Sequence, residues 1–181
     1  MRALAAMAVL CISFATILWR NPTRASAQAG ASGLDKVGAF LGEWKSKGEM
    51  RDTTFSKAGS NSATTTCAWS LNHGYLTCDQ LVQTPDGPEN DFSVYTYNEK
   101  DHTYLFFGLS RGDGDARTPK LTIEGNLWTY LGGFDRKDGK HISFRTTNTF
   151  TSPTNVTWRS EFSDDGAHWT MMGEGTETRV K

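Results

Sequence analysis

Short β-rich stretches recur along the chain from Glu43 onward, and they constrain the fold more than any other feature. They follow one another at a spacing of roughly 8–12 residues. Clusters of Gly, Asp, Asn and Pro separate them, as in Pro85-Asp-Gly-Pro88 and Asp164-Asp-Gly166, and no helical period is sustained between these turns. This pattern is typical of an all-β protein. The predicted strands are 43–52, 62–71, 75–84, 91–98, 103–110, 118–124, 126–133, 140–150, 154–163 and 167–178.

The alternation of side chains within these strands indicates that one face of each strand is buried. In the stretch 154–163, Val156, Trp158 and Phe162 share one parity, whereas Arg159 takes the other. Short links and period-two patterning favour antiparallel neighbours. About ten such strands would leave exposed edges unless the sheet closed on itself. We therefore predict an all-β fold, a single antiparallel up-and-down β-barrel of about ten strands.

Residues 1–29 have the pattern of an export signal. A positive charge near the N-terminus precedes an uncharged apolar run over 3–19, and small residues follow as far as Ala29. The alternative is a single membrane anchor, for which the apolar run is short. We predict cleavage after Ala27 or Ala29, and hence a periplasmic or secreted protein that does not stay in the membrane.

The predicted domain organisation is a cleaved signal peptide at 1–29, a lead-in at 30–37 and one barrel domain at 38–181. Leu34, Val37 and Phe40 have helical spacing, which predicts one short helix at the start of the body. The formal net charge of −1 excludes a nucleic-acid binder that works through a strong basic field.

Removal of the signal would leave two cysteines, Cys67 and Cys78. In an oxidising compartment such a pair indicates a disulfide, and two buried free thiols are the alternative. The two residues flank a predicted hairpin. A two-residue loop at 72–73 would place them directly opposite each other, within disulfide reach, whereas a three-residue loop would make the bridge diagonal.

The order of several motifs resembles known barrel families. A helix leading into Gly42-Glu43-Trp44 resembles the G-x-W entry of lipocalin-like (calycin) barrels, in which an Arg near the chain end often packs on the Trp; Arg179 stands in the matching place. Over residues 38–181 the order is similar to that of the DUF1579 family of exported bacterial proteins. The motifs are Leu41-Gly-x-Trp44, Cys67-x-Trp-x-Leu71, Tyr95-x-Tyr97, Asp164-Asp-Gly-x-x-Trp169 and the closing Gly-x-x-Thr-x-Arg179. The resemblance implies a lipocalin-like barrel with Trp44 and Arg179 as a structural clasp. It leaves the function open, because that family has no established activity.

Motifs that would indicate catalysis are missing from the sequence. It contains no nucleophile elbow, P-loop or dinucleotide fingerprint, so we predict no catalytic residues and lean against an enzyme. The histidines outside the signal show no close ligand pair, so no metal and no cofactor are predicted. A haem barrel related to the nitrobindins would need an inward His, for which His141 and His168 are the candidates, whereas His73 and His102 are not.

Aromatic residues make up 12% of the chain and are the feature that most favours a binding function. A ten-stranded barrel is wide enough to leave room inside. We expect this room to be lined by Trp69, Tyr104, Phe106, Phe144 and Trp158, and to bind a small, largely apolar molecule.

Two other classes of function stay open. A hydrolase or isomerase would need titratable groups clustered in the cavity. A ligand-free structural or partner-binding barrel would need a filled interior and an apolar outer patch. Leu105 and Phe107 have the opposite parity to Phe106, so one strand is apolar on both faces and the protein is expected to be a monomer or a homodimer.

Overall fold

The computed structural model describes residues 33–110 and 116–181. The predicted signal, its cleavage site and residues 111–115 lie outside the described residues. The described part contains one short helix, α1 (Gly33–Val37), and a 3₁₀ turn (Gly38–Phe40). The strands are β1 (Gly42–Met50), β2 (Gly59–Ser70), β3 (Tyr75–Thr84), β4 (Gly87–Asn98), β5 (Thr103–Ser110), β6 (Ala116–Arg117), β7 (Lys120–Glu124), β8 (Leu127–Asp135), β9 (His141–Ser152), β10 (Asn155–Ser163) and β11 (Thr170–Arg179).

The strands form one closed antiparallel sheet. Strands that follow one another in the sequence pair with each other, except that β6 and β7 both pair with β5, and β1 pairs with β11 to close the ring. The strand predicted at 118–124 begins at Lys120 as β7, and the two-residue β6, which was not predicted, precedes it. Thr118 and Pro119 separate the two, and both lie against β5. Proline has no N–H to give to a ladder, which explains the break. Without the two-residue β6 the ring has ten strands, so the prediction of a ten-stranded up-and-down barrel with a short N-terminal helix is confirmed.

The predicted alternation of inward and outward side chains holds along most strands, and the exception at Glu161 is explained by the side chains around it. In β10, Val156 is buried and Thr157 is exposed, as predicted. Glu161 is also buried although its neighbour Ser160 faces the interior. Glu161 lies on the outer surface, where the Arg145 Nη2 donates a hydrogen bond of 2.6 Å to it and the Arg145 guanidinium lies 4.1 Å from the centre of the Trp169 ring. These side chains cover the carboxylate.

An aromatic core closes the end of the barrel that carries α1. Phe40 packs on both Trp128 and Phe150, and its ring centre lies 5.0 Å from the ring centre of each. Trp44 is fully buried beside them, and its Nε1 donates a hydrogen bond of 2.8 Å to the carbonyl of Phe40. The turn after α1 therefore acts as a plug that joins the helix to the first strand.

The start of β1 also holds the C-terminal end of the chain. The amide of Glu43 donates to the carbonyl of Lys181 at 3.1 Å, and the amide of Val180 donates to the carbonyl of Glu43 at 2.7 Å. Gly42 has a φ of +99°, and a Cβ there would collide with the Lys181 carbonyl. The Gly in the G-x-W motif is therefore required by both backbone conformation and space.

The cysteine pair forms the predicted disulfide between β2 and β3. Cys67 and Cys78 lie directly opposite each other, with their Cα atoms 4.1 Å apart. The register matches the prediction, because Ser70 faces Tyr75, but the connection is a four-residue turn rather than a two-residue loop.

Candidate functional site

A cavity of about 610 Å³ occupies the barrel between the aromatic core and the opposite end. Its lining includes side chains from the β1–β2 loop and the β3–β4 turn, among them Phe55, Lys57 and Asp86. The inward residues of the strands thus do not fill the barrel. A volume of this size is typical of small-molecule sites.

Four aromatic rings and the disulfide form the apolar floor of the cavity. Phe40, Tyr95, Phe106 and Tyr130 lie towards the core, and the Cys67–Cys78 bridge faces the cavity beside them. The ring of Phe106 lies 4.9 Å from that of Tyr95 and 5.2 Å from that of Tyr130. These contacts hold the rings in fixed orientations and give the cavity a rigid floor.

The two tyrosines of the floor pair with each other through their hydroxyl groups. The Oη atoms of Tyr95 and Tyr130 are 3.2 Å apart. Burial raises the pKa of Tyr95 to about 12, and burial also raises the pKa of Tyr130 well above its usual value. Both phenols therefore stay protonated at neutral pH and can act as hydrogen-bond donors.

Trp158 forms one wall, and two glycines make room for it. Its indole lies on the cross-strand pair Gly48 and Gly175, where a Cβ at Gly175 would be 2.7 Å from the Trp158 Cε2. Its Nε1 donates a hydrogen bond of 2.9 Å to the Ser46 Oγ. The ring is thereby held flat against the sheet, with the cavity on its other side.

A carboxyl group lies in the wall next to this tryptophan. Glu177 of β11 is directly opposite Ser46 of β1, lines the cavity and is only 8% exposed. Thr65 gives it a side-chain hydrogen bond and itself accepts one of 2.8 Å from the Gln80 Nε2. Burial raises the pKa of Glu177 to about 7, and the hydrogen bond from Thr65 opposes part of that rise. The group therefore changes its charge near neutral pH.

Charged groups surround the outer part of the cavity. Within the described residues, the lining has four carboxyl groups and two basic groups. Lys57 forms an ion pair with Asp86, and the Ser110 hydroxyl donates a hydrogen bond to Asp91. The other members are Glu89, Arg117 and the deeper Glu177. The described lining is therefore acidic on balance.

Two of the five aromatic residues predicted to line the site do so. Phe106 and Trp158 line the cavity, whereas Trp69, Tyr104 and Phe144 do not belong to the described lining. All five face inward by parity, so the difference is their depth along the barrel.

The other three lie at the two ends. Trp69 packs near Gly38 of the 3₁₀ turn, and the ring of Tyr104 packs at a tilt against that of Tyr97, with 4.9 Å between their centres. Phe144 is covered by Phe55, which lies 5.2 Å away between ring centres.

Sequence reasoning missed the polar part of the site. Ser46, Thr65, Gln80 and Glu177 face inward at positions where a core would be apolar. The sequence did contain a signal for Glu177. It has the same parity as Arg179, and the resemblance to lipocalin-like barrels places Arg179 against the inward Trp44, so Glu177 should also face inward.

The histidines are distributed over turns and strand ends. The Nδ1 of His141 lies 2.6 Å from Asp135, and the Nδ1 of His168 lies 2.7 Å from Asp165. His102 contacts the Tyr97 hydroxyl at 3.2 Å, and His73 lies against the Trp69 ring. Across residues 33–110 and 116–181, no group of three or more His, Cys, Asp or Glu side chains is placed to hold a metal ion.

Comparison with known proteins identifies the fold. Rv2717c from M. tuberculosis superimposes with a TM-score of 0.59 at 11% sequence identity, over 83% of this chain and 99% of that protein. The fold is that of a lipocalin-like barrel. The S-type phycobiliprotein lyase CPES from Guillardia theta gives a TM-score of 0.55 at 10% identity, over 83% of this chain and 93% of the lyase. At these identities the likeness concerns the fold alone.

The sequence searches add no family to this lipocalin-like barrel. No family model and no curated protein match the chain. Membership of the DUF1579 family therefore stays a prediction. Among the helices of the described part, none has the length and apolar character that crossing a membrane requires.

Proposed function

We propose that the protein is an exported barrel that binds a small molecule non-covalently in its cavity. The observation that carries this proposal is the unfilled space of about 610 Å³, lined by packed aromatic rings and by polar groups. Both features are usual in sites that bind and orient small ligands. The alternative of a ligand-free structural barrel loses support, because it required a filled interior.

The lining suggests an amphipathic ligand rather than a wholly apolar one. Phe40, Phe106 and the two tyrosines provide an apolar surface for a ring or a short chain. Gln80, the Thr65 hydroxyl and Glu177 face the same space and provide polar partners. An apolar body with at least one polar group satisfies both parts of the wall, since buried polar groups are costly when they are left unpaired.

Export belongs to the same proposal. The predicted signal at 1–29 directs the chain to the periplasm or the exterior, and the Cys67–Cys78 disulfide is compatible with such an oxidising compartment. The proposed family, DUF1579, is also one of exported bacterial proteins.

An enzyme, hydrolase or isomerase, is the second candidate, and one observation favours it. The carboxyl of Glu177 has a pKa of about 7 and lies in a cavity that also contains two protonated phenols. Groups that gain and lose protons near neutral pH are suited to general acid–base catalysis. Recovery of the bound molecule in a chemically changed form would favour the enzyme over the carrier.

Native mass spectrometry tests the proposal directly. The protein would be exported from a bacterial host, weighed intact, and then extracted with solvent to release any ligand. We expect a reproducible extra mass that the solvent removes. Ala63→Phe, which places a ring in the cavity, should abolish it, whereas Ala68→Phe on the exposed face of the same strand should retain it. A clean apo mass, or an extra mass retained in Ala63→Phe, would contradict binding inside the barrel.

A further inference from the structure

The charge of the site gives information about the ligand beyond its size. Glu177 is more than nine-tenths buried and lines the cavity. Among the described residues no Lys, Arg or His forms an ion pair with it, and its hydrogen-bond partner is the neutral Thr65. Burying a carboxylate without a cation beside it costs free energy, and Glu177 is such a group in this protein.

Of the basic residues around the interior, Arg145 and Arg159 point away from it, whereas Lys57 and Arg117 line the outer part of the cavity. Arg145 and Arg159 both contact Glu161 on the outer surface, at 2.6 and 3.1 Å. Lys57 is held by Asp86 at the outer end of the cavity. The described lining therefore keeps an excess of carboxyl groups over basic groups.

Aromatic faces complete the surroundings of this carboxyl group. Trp158 is hydrogen-bonded to Ser46, the residue directly opposite Glu177. Tyr95 and Tyr130 are close enough for the charge of Glu177 to raise the pKa of both phenols. Electron-rich rings attract cations, and most strongly where water is excluded.

We propose that the ligand is an organic cation, a protonated amine or quaternary ammonium on an apolar body, whose charge lies beside Glu177 and the rings of Trp158, Tyr95 and Tyr130. This inference rests on the proposed binding function and specifies its ligand class. A metal ion fits poorly, because the described residues provide no cluster of three ligands. An organic cation needs only one carboxylate together with aromatic faces, and both are present.

Three indole probes of similar shape test the charge of the ligand: tryptamine (cation), tryptophol (neutral) and indolepropionate (anion). Each would be titrated calorimetrically into the exported protein after solvent has removed any bound ligand. We expect tryptamine to bind about tenfold more tightly than tryptophol, and indolepropionate to bind most weakly, because only the amine gains a charge-assisted contact.

Glu177→Gln and Glu174→Gln form a matched pair of variants for this titration. Glutamine keeps the shape and hydrogen-bonding capacity of Glu177 but removes the charge, so the preference for tryptamine should disappear. Glu174 lies on the opposite face of the same strand, where it pairs with Arg51, and its substitution should leave the preference unchanged. A preference that survives in Glu177→Gln would overturn the assignment.

The pH dependence provides a second readout. We expect the affinity for tryptamine to fall as the pH is lowered from about 8 to about 5, because Glu177 must lose its proton to pair with the amine. The groups facing it are Tyr95, Tyr130 and Thr65, and the outer lining adds Lys57, Asp86, Glu89, Asp91 and Arg117. A fall of the same size in Glu177→Gln would assign the effect to those outer groups and overturn the proposal.

The outcomes separate the ligand class from the binding function. Equal or tighter binding of tryptophol or indolepropionate would overturn the cation and leave the cavity as a binding site. Failure of all three probes would also overturn the cation, and the mass measurement on Ala63→Phe would then decide the binding function by itself.

Discussion

The side chain of Glu177 couples the stability of the protein to pH. The ordinary pKa of a glutamate carboxyl is 4.5, and burial raises that of Glu177 to about 7. The folded protein therefore holds this proton more tightly than the unfolded chain does. The stability linked to the proton is fully present below pH 4.5 and is lost as the pH rises through about 7. A tenfold change in proton affinity corresponds to ~1.4 kcal/mol. The free energy of unfolding therefore falls by about 3 kcal/mol over this pH range.

Glu177→Gln should remove this dependence. We expect the variant to be about 3 kcal/mol more stable than the wild type near pH 8 and nearly equal to it near pH 4, because glutamine has no charge to bury. Urea unfolding across this range measures the difference, with Glu174→Gln as the exposed control. An unchanged pH profile in Glu177→Gln would show that the carboxyl is not buried as described.

Between elements, Arg179 joins β11 to both β1 and the 3₁₀ turn. Its guanidinium lies 4.7 Å from the centre of the Trp44 ring and donates a hydrogen bond to the carbonyl of Ala39. This is the pair that the resemblance to lipocalin-like barrels predicted as a clasp. The contact is present, and its contribution to stability stays a prediction.

Arg179→Ala should destabilise the barrel by about 2 kcal/mol, because it removes a cation–π contact and leaves a partly buried carbonyl without its donor. Arg179→Lys should recover only part of this loss, since an ammonium cannot stack as a planar guanidinium does. Arg51→Ala is the control, because the Arg51–Glu174 pair is exposed and contributes little. Chemical unfolding of the three variants gives the values, and equal losses for Arg179→Ala and Arg51→Ala would refute a clasp.

The elements were more predictable than the site. Turn residues and period-two patterning are local signals, so they indicated the strands and even the opposition of Cys67 and Cys78. Parity reports which face a side chain takes but not its depth along the barrel. Depth depends on strand stagger and on what plugs each end, here Phe40 and Phe55. Trp69 and Phe144 therefore face inward but do not reach the cavity, and the polar position of Glu177 was overlooked.

The molecule as a whole divides its interior into a packed half and an open half. The half next to α1 holds the aromatic core, in which Trp44 and Leu76 are fully buried. The other half contains the cavity and most of the polar inward residues. Stability is concentrated at one end, so the open end can tolerate an unfilled space and a buried carboxyl that would weaken a continuous core.

An apolar patch on the outer face of the described strands is not explained by the interior. Leu105, Phe107 and Leu109 follow one another on the outer face of β5, and Phe92 of β4 lies opposite Leu109. Phe107 is 44% exposed. A contiguous apolar patch of this kind is typical of an interface, which favours the homodimer over the monomer.

Phe107→Ser should convert a dimer to a monomer, because it removes the central ring of the patch while leaving the inward face of β5 intact. Light scattering coupled to size exclusion measures the mass, and circular dichroism checks that the fold is kept. Leu71→Ser is the matched control, since Leu71 is 77% exposed in the β2–β3 turn and is not part of the patch. If Phe107→Ser, Leu71→Ser and the wild type all have the mass of one chain, the patch is not a dimer interface. A dimer lost only in Phe107→Ser would place the partner subunit on the outer face of β4 and β5, where Phe92 and Leu109 also border the cavity.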